Sequence, residues 1–247
     1  MSSLTKEIDT ALTARVRESL DSSLRPPSVP TVPSPHFYQT GAFHPDLYSD
    51  IRSHLPTSNL YGGVHGRTGN VRAKKSRLAL PLRKETLERL PDEIRSFWVS
   101  MTSYFMSAEF LRLALTAYLP LLSTQRPDLI GQDTFDIRFE LLRDSTAYGI
   151  GPHADNPRKI MTLLFYLSAG ETSEALGTSF YTPKQKGFTC QTGRHHTYED
   201  FDLYKTYAYA PNAVLSFLRT DTSFHGVEVI EEQNVQRDVL RWMVWKP

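Results

Sequence analysis

The chain has 247 residues, 40% of them hydrophobic and 22% charged, with a formal net charge of +1. That is the composition of an ordinary globular protein with a sizeable core, and its charge balance excludes a global pull toward nucleic acid or an anionic membrane. A single cysteine, Cys190, excludes an intrachain disulfide and a multi-cysteine zinc site.

The polar N-terminus carries no secretory signature. Residues 5–24 predict an amphipathic helix, because Leu12, Val16 and Leu20 fall at helical spacing. The proline-rich run "RPPSVPTVPSP", residues 25–35, forbids helix and predicts an extended connector across the surface. "HFYQTGAF" reads as a strand, and "HPDLYSDIRSHL" as a helix with proline in its first turn. "SRLALPL" reads as a strand. Residues 84–90 and 92–123 are helical in pattern, the second stretch being apolar enough for a buried scaffold helix. Its longest apolar run, "FLRLALTAYLPLL", contains arginine and proline and falls short of a membrane span. A soluble cytoplasmic protein with no membrane or nucleic-acid partner is expected.

From residue 134 the pattern changes. "TFDIRFELLR", "KIMTLLFYLS", "LGTSFYTP", "AVLSFLRT", "SFHGVEVIEE" and "VLRWMVW" are strand-like runs separated by turn residues. The expected organisation is one domain over 1–247, of class α+β: a mainly helical region, 1–133, packed on a β-sandwich or barrel, 134–247. Residues 183–205 form a polar and aromatic insertion between strands, the kind of loop that is often functional or mobile. Cys190 lies in it beside His195 and His196. A nucleophilic pair is one reading and a small residue in a loop the plainer one.

Two His-x-Asp triplets occur. His44-Pro45-Asp46 opens the helix just described, where Asp46 complements the helix N-terminus and needs no metal. His153-Ala154-Asp155 instead precedes a strand in the β-rich half. On a strand, residues i and i+2 share a face, so both side chains can reach one ion. The third ligand is to be sought among His195, His196 and His225, of which only His225 lies in a strand-like run. Two histidines and one carboxylate on one face of a metal leave the opposite face open, an arrangement suited to non-haem Fe(II). A dicarboxylate bound at that open face would want a bidentate arginine in a dry pocket. Arg237, at the head of the last apolar run, is a candidate, with a surface arginine at a strand edge as the plain alternative. Arg241 lies on the same strand face.

The order His-x-Asp, a distal His, then an Arg opening the last strand resembles the Fe(II)/2-oxoglutarate-dependent oxygenases over roughly residues 134–247. "HADNP" and "FYLS" make it most similar to their prolyl-hydroxylase-like branch. The resemblance implies a double-stranded β-helix (jelly-roll) core. It implies Fe(II) held by His153, Asp155 and His225, 2-oxoglutarate and O2 as co-substrates, and Arg237 pairing with the far carboxylate of 2-oxoglutarate. It also implies that Thr162 and Tyr166 line the co-substrate pocket. Strand periodicity puts both on one face with Ile160 and Leu164, and ordinary core packing is the alternative. An aspartate at 155, where halogenating relatives have a small residue, makes C–H hydroxylation or a related oxidation the expected reaction.

The substrate is less legible. Arg138 and Glu140 alternate along "DIRFELL" and could face a substrate or solvent. The basic and histidine residues of 183–205 could close over a polar or anionic molecule or simply be solvated. The expected substrate is a small polar metabolite or natural-product intermediate, with a peptidyl (prolyl-type) substrate second. A non-catalytic metal-binding β-barrel sensor and a zinc hydrolase are the competing classes.

Overall fold

A computed structural model describes residues 7–64, 76–170, 172–232 and 234–247. Its framework is a pair of antiparallel sheets. The major sheet has strand order β1-β9-β6-β11-β4-β3-β2 and the minor sheet β5-β10-β7-β8. The strands are β1 (His36–Thr40), β2 (Gly62–Gly63), β3 (Arg77–Pro81), β4 (Asp136–Ser145), β5 (Ile150–His153), β6 (Lys159–Tyr166), β7 (Ser173–Pro183), β8 (Phe201–Tyr209), β9 (Ala213–Leu218), β10 (His225–Val227) and β11 (Gln236–Trp245).

The central strand β6 shows why this sequence folds as it does. Met161, Leu163 and Phe165 enter one apolar cluster together with helical residues such as Leu20, Trp98 and Phe110. Thr162, Leu164 and Tyr166 face the other way, toward the gap between the sheets. Both faces are covered, so the strand reads as a continuous apolar run. Burial of each large apolar side chain contributes roughly 1.5–3 kcal/mol. Strand β11 alternates likewise: Leu240, Trp242 and Val244 pack on the helices, while Arg237, Val239 and Arg241 face the interior. Trp242 donates its indole N–H to the Phe105 carbonyl at 2.8 Å, so the large ring is buried with its polar atom satisfied.

The helical layer comprises α1 (Thr10–Ser23), α2 (Pro45–Ser53), α3 (Lys84–Leu87), α4 (Asp92–Phe105), α5 (Ala108–Thr116) and α6 (Leu119–Gln125). Helix α1 starts where Asp9 accepts hydrogen bonds from the Ala11 and Leu12 amides, and it buries Leu12, Val16 and Leu20. The long helix expected over 92–123 is three helices. Ser107 caps α5 by accepting from the Phe110 amide at 3.1 Å, which restarts the chain in a new direction. Pro120 occupies the first turn of α6, where it cannot continue a preceding helix. The strand expected over 36–43 ends at Thr40.

Strands β1, β2 and β3 come from before residue 134 and pair with β9, β3 and β4. Strands β5 and β8 did not stand out in the hydrophobic pattern. The expected insertion 183–205 therefore ends inside the minor sheet, because residues from Phe201 onward form β8 against β7. Among the described residues no helix is long and apolar enough to cross a membrane.

Candidate metal centre and its two chambers

The site is assembled on the short antiparallel pair β5–β10, in which His153 lies directly opposite His225. The two backbones approach so closely that a Cβ on Gly226 would sit 2.5 Å from the Ile150 carbonyl oxygen. Only glycine fits there, and the closeness sets the two imidazoles 4.4 Å apart between ring centroids. Asp155 lies two residues beyond His153, just past the end of β5 rather than on it. Its carboxylate nevertheless returns to the pair: Oδ1 is 3.9 Å from His153 Nε2 and Oδ2 is 3.7 Å from His225 Nε2. Ligand atoms of all three side chains lie within 4.8 Å of one another, the metal-capable group found among the described residues.

The free atoms are the right ones. His153 Nδ1 lies 3.0 Å from the Gly151 carbonyl and His225 Nδ1 2.9 Å from the Ser223 carbonyl. Each ring thereby places its proton on Nδ1 and keeps an Nε2 lone pair for a metal. Asp155 Oδ2 is buried with no hydrogen-bond partner. A buried carboxylate oxygen left unsatisfied is costly, and a cation between it and two imidazole nitrogens removes the cost. The donor set fits Fe(II).

Asp155 Oδ1 is also held by the buried Lys159 ammonium at 2.7 Å. Burial pushes the Asp155 carboxyl up, but Lys159 and the two histidines outweigh it and keep the group well below the usual carboxylate range. Burial drives both histidines below their ordinary value; His225 adds to this at His153, while Asp155 opposes it at both. The site is thus anionic at the carboxylate and neutral at the imidazoles, the protonation a metal requires.

An inner chamber runs from the triad between the sheets. It is bounded by Arg77, Tyr148, Thr162, Thr178 and Arg237, with Phe217 and Leu164 as apolar walls. Arg237 is 1% exposed. It donates to the Asp144 carboxylate at 2.8 Å, the Leu176 carbonyl at 2.6 Å and the Thr178 hydroxyl at 3.3 Å. Its burial is therefore met within the chain and by itself demands no ligand. Arg77 grips the same Asp144 through Nε at 2.5 Å and Nη2 at 2.7 Å. Two guanidiniums share one carboxylate, and the surplus positive charge faces the chamber. Two further polar atoms lack partners, the Thr162 and Tyr148 hydroxyls. Burial pushes Tyr148 up to about 12, so it stays a neutral donor.

Tyr166 is fully buried under Arg237, its ring centroid 5.4 Å from Cζ. Its hydroxyl donates to Thr178 at 2.8 Å. Thr178 rather than Tyr166 forms the chamber wall there. Thr162 lies on the wall. Asp144, Arg77, Tyr148 and Lys159 are site residues that periodicity did not single out. A signal existed only for Lys159, a lysine heading an apolar strand four residues after Asp155.

A wider outer chamber adjoins the inner one and shares Arg77, Ile150, His153, Asp155, Lys159 and Arg241 with it. Arg138 and Glu140 both line it, with Arg241, Lys159 and Trp245. Arg241 Nε donates to Glu140 at 3.0 Å. His195 reaches the rim, its ring 4.6 Å from His153. The His196 amide donates to the Pro152 carbonyl at 2.8 Å, which pins this loop to β5. Cys190 is buried among Phe201, Phe224 and Tyr181, away from both chambers.

No protein-family model matches the sequence, and no curated protein does. Solved structures do match in fold. An Fe(II)/α-ketoglutarate-dependent dioxygenase, TqaL, superposes with TM-score 0.52 at 13% identity, covering 98% of this chain and 91% of its own. A non-haem α-ketoglutarate-dependent carbocyclase from nogalamycin biosynthesis, SnoK, gives 0.50 at 8% identity, covering 98% and 85%. A Pseudomonas putida prolyl-4-hydroxylase gives 0.49 at 12% identity, covering 96% and 99%. The fold is the double-stranded β-helix of the Fe(II)/2-oxoglutarate-dependent oxygenases, with helices packed on its major sheet.

Proposed function

We propose that the protein is an Fe(II)- and 2-oxoglutarate-dependent dioxygenase that hydroxylates or otherwise oxidises a C–H bond of a small polar metabolite or natural-product intermediate. The observation that carries this reading is the orphaned, buried Asp155 Oδ2, 3.7 Å from His225 Nε2 on a carboxylate whose other oxygen is 3.9 Å from His153 Nε2, with the Nδ1 atoms of both rings already committed. His153, Asp155 and His225 would hold the iron, which with 2-oxoglutarate and O2 supplies the oxidising chemistry.

The chain's own groups orient and enclose. The surplus charge of Arg77 and Arg237 around Asp144, with the unpartnered Thr162 and Tyr148 hydroxyls, suits the far carboxylate of 2-oxoglutarate. Tyr166 supports that wall from beneath through Thr178. Phe217, Leu164 and Val239 keep the inner chamber dry, which strengthens each polar contact inside it. Lys159 fixes one carboxylate oxygen so that the other stays free for the metal. Arg138 and Glu140, which line the outer chamber, would meet substrate there. SnoK, a carbocyclase from nogalamycin biosynthesis with this fold, is the likeness on which the natural-product reading rests.

The test is anaerobic addition of Fe(II) and then 2-oxoglutarate. A weak visible charge-transfer band is expected, and it should be lost in His153→Ala. No band, or a band that survives the substitution, removes this assignment. Zinc-dependent hydrolysis without 2-oxoglutarate would replace it with the hydrolase reading.

A further inference from the structure

The outer chamber is unevenly charged. Its wall carries five cationic side chains, Arg77, Arg83, Arg138, Lys159 and Arg241, against two carboxylates, Glu140 and Asp155; Arg77 is paired with Asp144 and Arg83 with Glu85. The carboxylates are committed, Glu140 to Arg241 and Asp155 to Lys159. Arg138 has no carboxylate partner among the described residues. Its guanidinium carbon instead lies 4.1 Å from the Trp245 ring centroid, with the Lys159 ammonium 5.2 Å from the same centroid. The Trp245 indole N–H is itself buried without an acceptor. Apart from Asp155 Oδ2 at the triad, this wall offers donors and positive charge. The lining also has apolar members, Met106, Pro81, Ile137 and Met243, of which Met243 pairs with Arg138 across β11 and β4 and Met106 is 42% exposed.

We propose that the outer chamber selects an amphipathic organic acid, whose carboxylate sits on Arg138 beside Trp245 and whose apolar body lies against Met106 and Ile137. A planar guanidinium stacked on an indole is held in place before any ligand arrives, so little side-chain freedom is lost on pairing with a carboxylate. Lys159 lies between Trp245 and Asp155. The carboxylate therefore docks away from the metal, and the oxidised carbon belongs to the far end of the apolar body. The identity of the reacting end rests on the dioxygenase reading; the binding preference does not.

The experiment is isothermal titration of the Ni(II)-loaded full chain, without oxygen and with excess 2-oxoglutarate, using 4-phenylbutyrate and the uncharged 4-phenylbutyramide. Binding of 2-oxoglutarate to the same protein is measured first. The acid is expected to bind at least tenfold more tightly than the amide. Arg138→Gln should remove most of that preference by weakening the acid far more than the amide, and Arg138→Lys should restore part of it. Because Arg138 is exposed, neither substitution threatens the fold. Equal binding of acid and amide, no binding of the acid at millimolar concentration, or an undiminished preference in Arg138→Gln overturns the proposal. So does displacement of the acid by 2-oxoglutarate, which would put it in the inner chamber. If 2-oxoglutarate itself does not bind, the dioxygenase reading fails, and the acid–amide comparison proceeds on Ni(II)-loaded protein alone.

Discussion

The chain writes His-x-Asp twice and folds the two copies into opposite environments. His44 is exposed at the start of α2, Pro45 occupies the first turn, and Asp46 points outward with its side chain 72% exposed. Its partner is Arg15 at 3.0 Å, and the Leu47 amide helps hold its carboxyl below the usual range. His153 is buried and the Asp155 side chain is 12% exposed; both face a second histidine, and one Asp155 carboxylate oxygen is buried and unsatisfied. The spacing is shared; what differs is whether water can solvate the charges. In water an Asp is content alone, whereas in a dry pocket it needs cations.

Metal binding should separate the two copies most sharply. His153→Ala or Asp155→Asn should weaken Ni(II) affinity more than a thousandfold, about 4 kcal/mol, while His44→Ala and Asp46→Asn leave the calorimetric isotherm unchanged. A metal-binding loss at the first triplet would sink the distinction. Lys159→Met comes next. Without metal it strands the buried Asp155 carboxylate, and urea denaturation should show a loss of about 3 kcal/mol, much of it regained with Ni(II). Arg15→Met, beside the exposed triplet, should change stability little and show no metal rescue.

A smaller effect is expected from pH. Burial keeps His153 and His225 below the ordinary histidine value in the folded state. Below about pH 6.5 the unfolded chain takes up protons that the folded chain refuses, so metal-free stability is present above that pH and lost as pH falls. The expected slope is on the order of 1 kcal/mol per pH unit per histidine. It should flatten in His225→Asn, and an unaltered urea midpoint between pH 7 and 5 would contradict the burial argument. Asp46→Asn should show the least change of all, in both stability and metal binding.

Much of the framework was legible in the sequence. The doubly buried strands β6 and β11 announce themselves as apolar runs, and α1 by its Leu12, Val16, Leu20 spacing. Strand β5, "IGPH", has no hydrophobic pattern at all; it exists because β10 lies alongside it. Strand β8 was hidden for a related reason: much of it is exposed or half-buried, so its composition resembles a loop. The break at Ser107 was masked by apolar residues on both sides. At the site, the triplet, His225 and Arg237 could be picked out by residue type and order. Asp144 and Arg77 could not, since their pairing joins β3 to β4 and a charge pair across strands leaves no periodic trace.

The sequence alone determined the candidate ligand types, their order along the chain and the alternation that turns Thr162, Arg237 and Arg241 toward the interior. Only the tertiary structure decided which His-x-Asp is dry, that Arg237 already has Asp144 as its counter-ion, and that Lys159 claims one oxygen of Asp155 and leaves the other free. Residue type and spacing are local properties of the chain. Burial and charge balance are sums over every element that closes around a group, and they exist only once the sheets have come together.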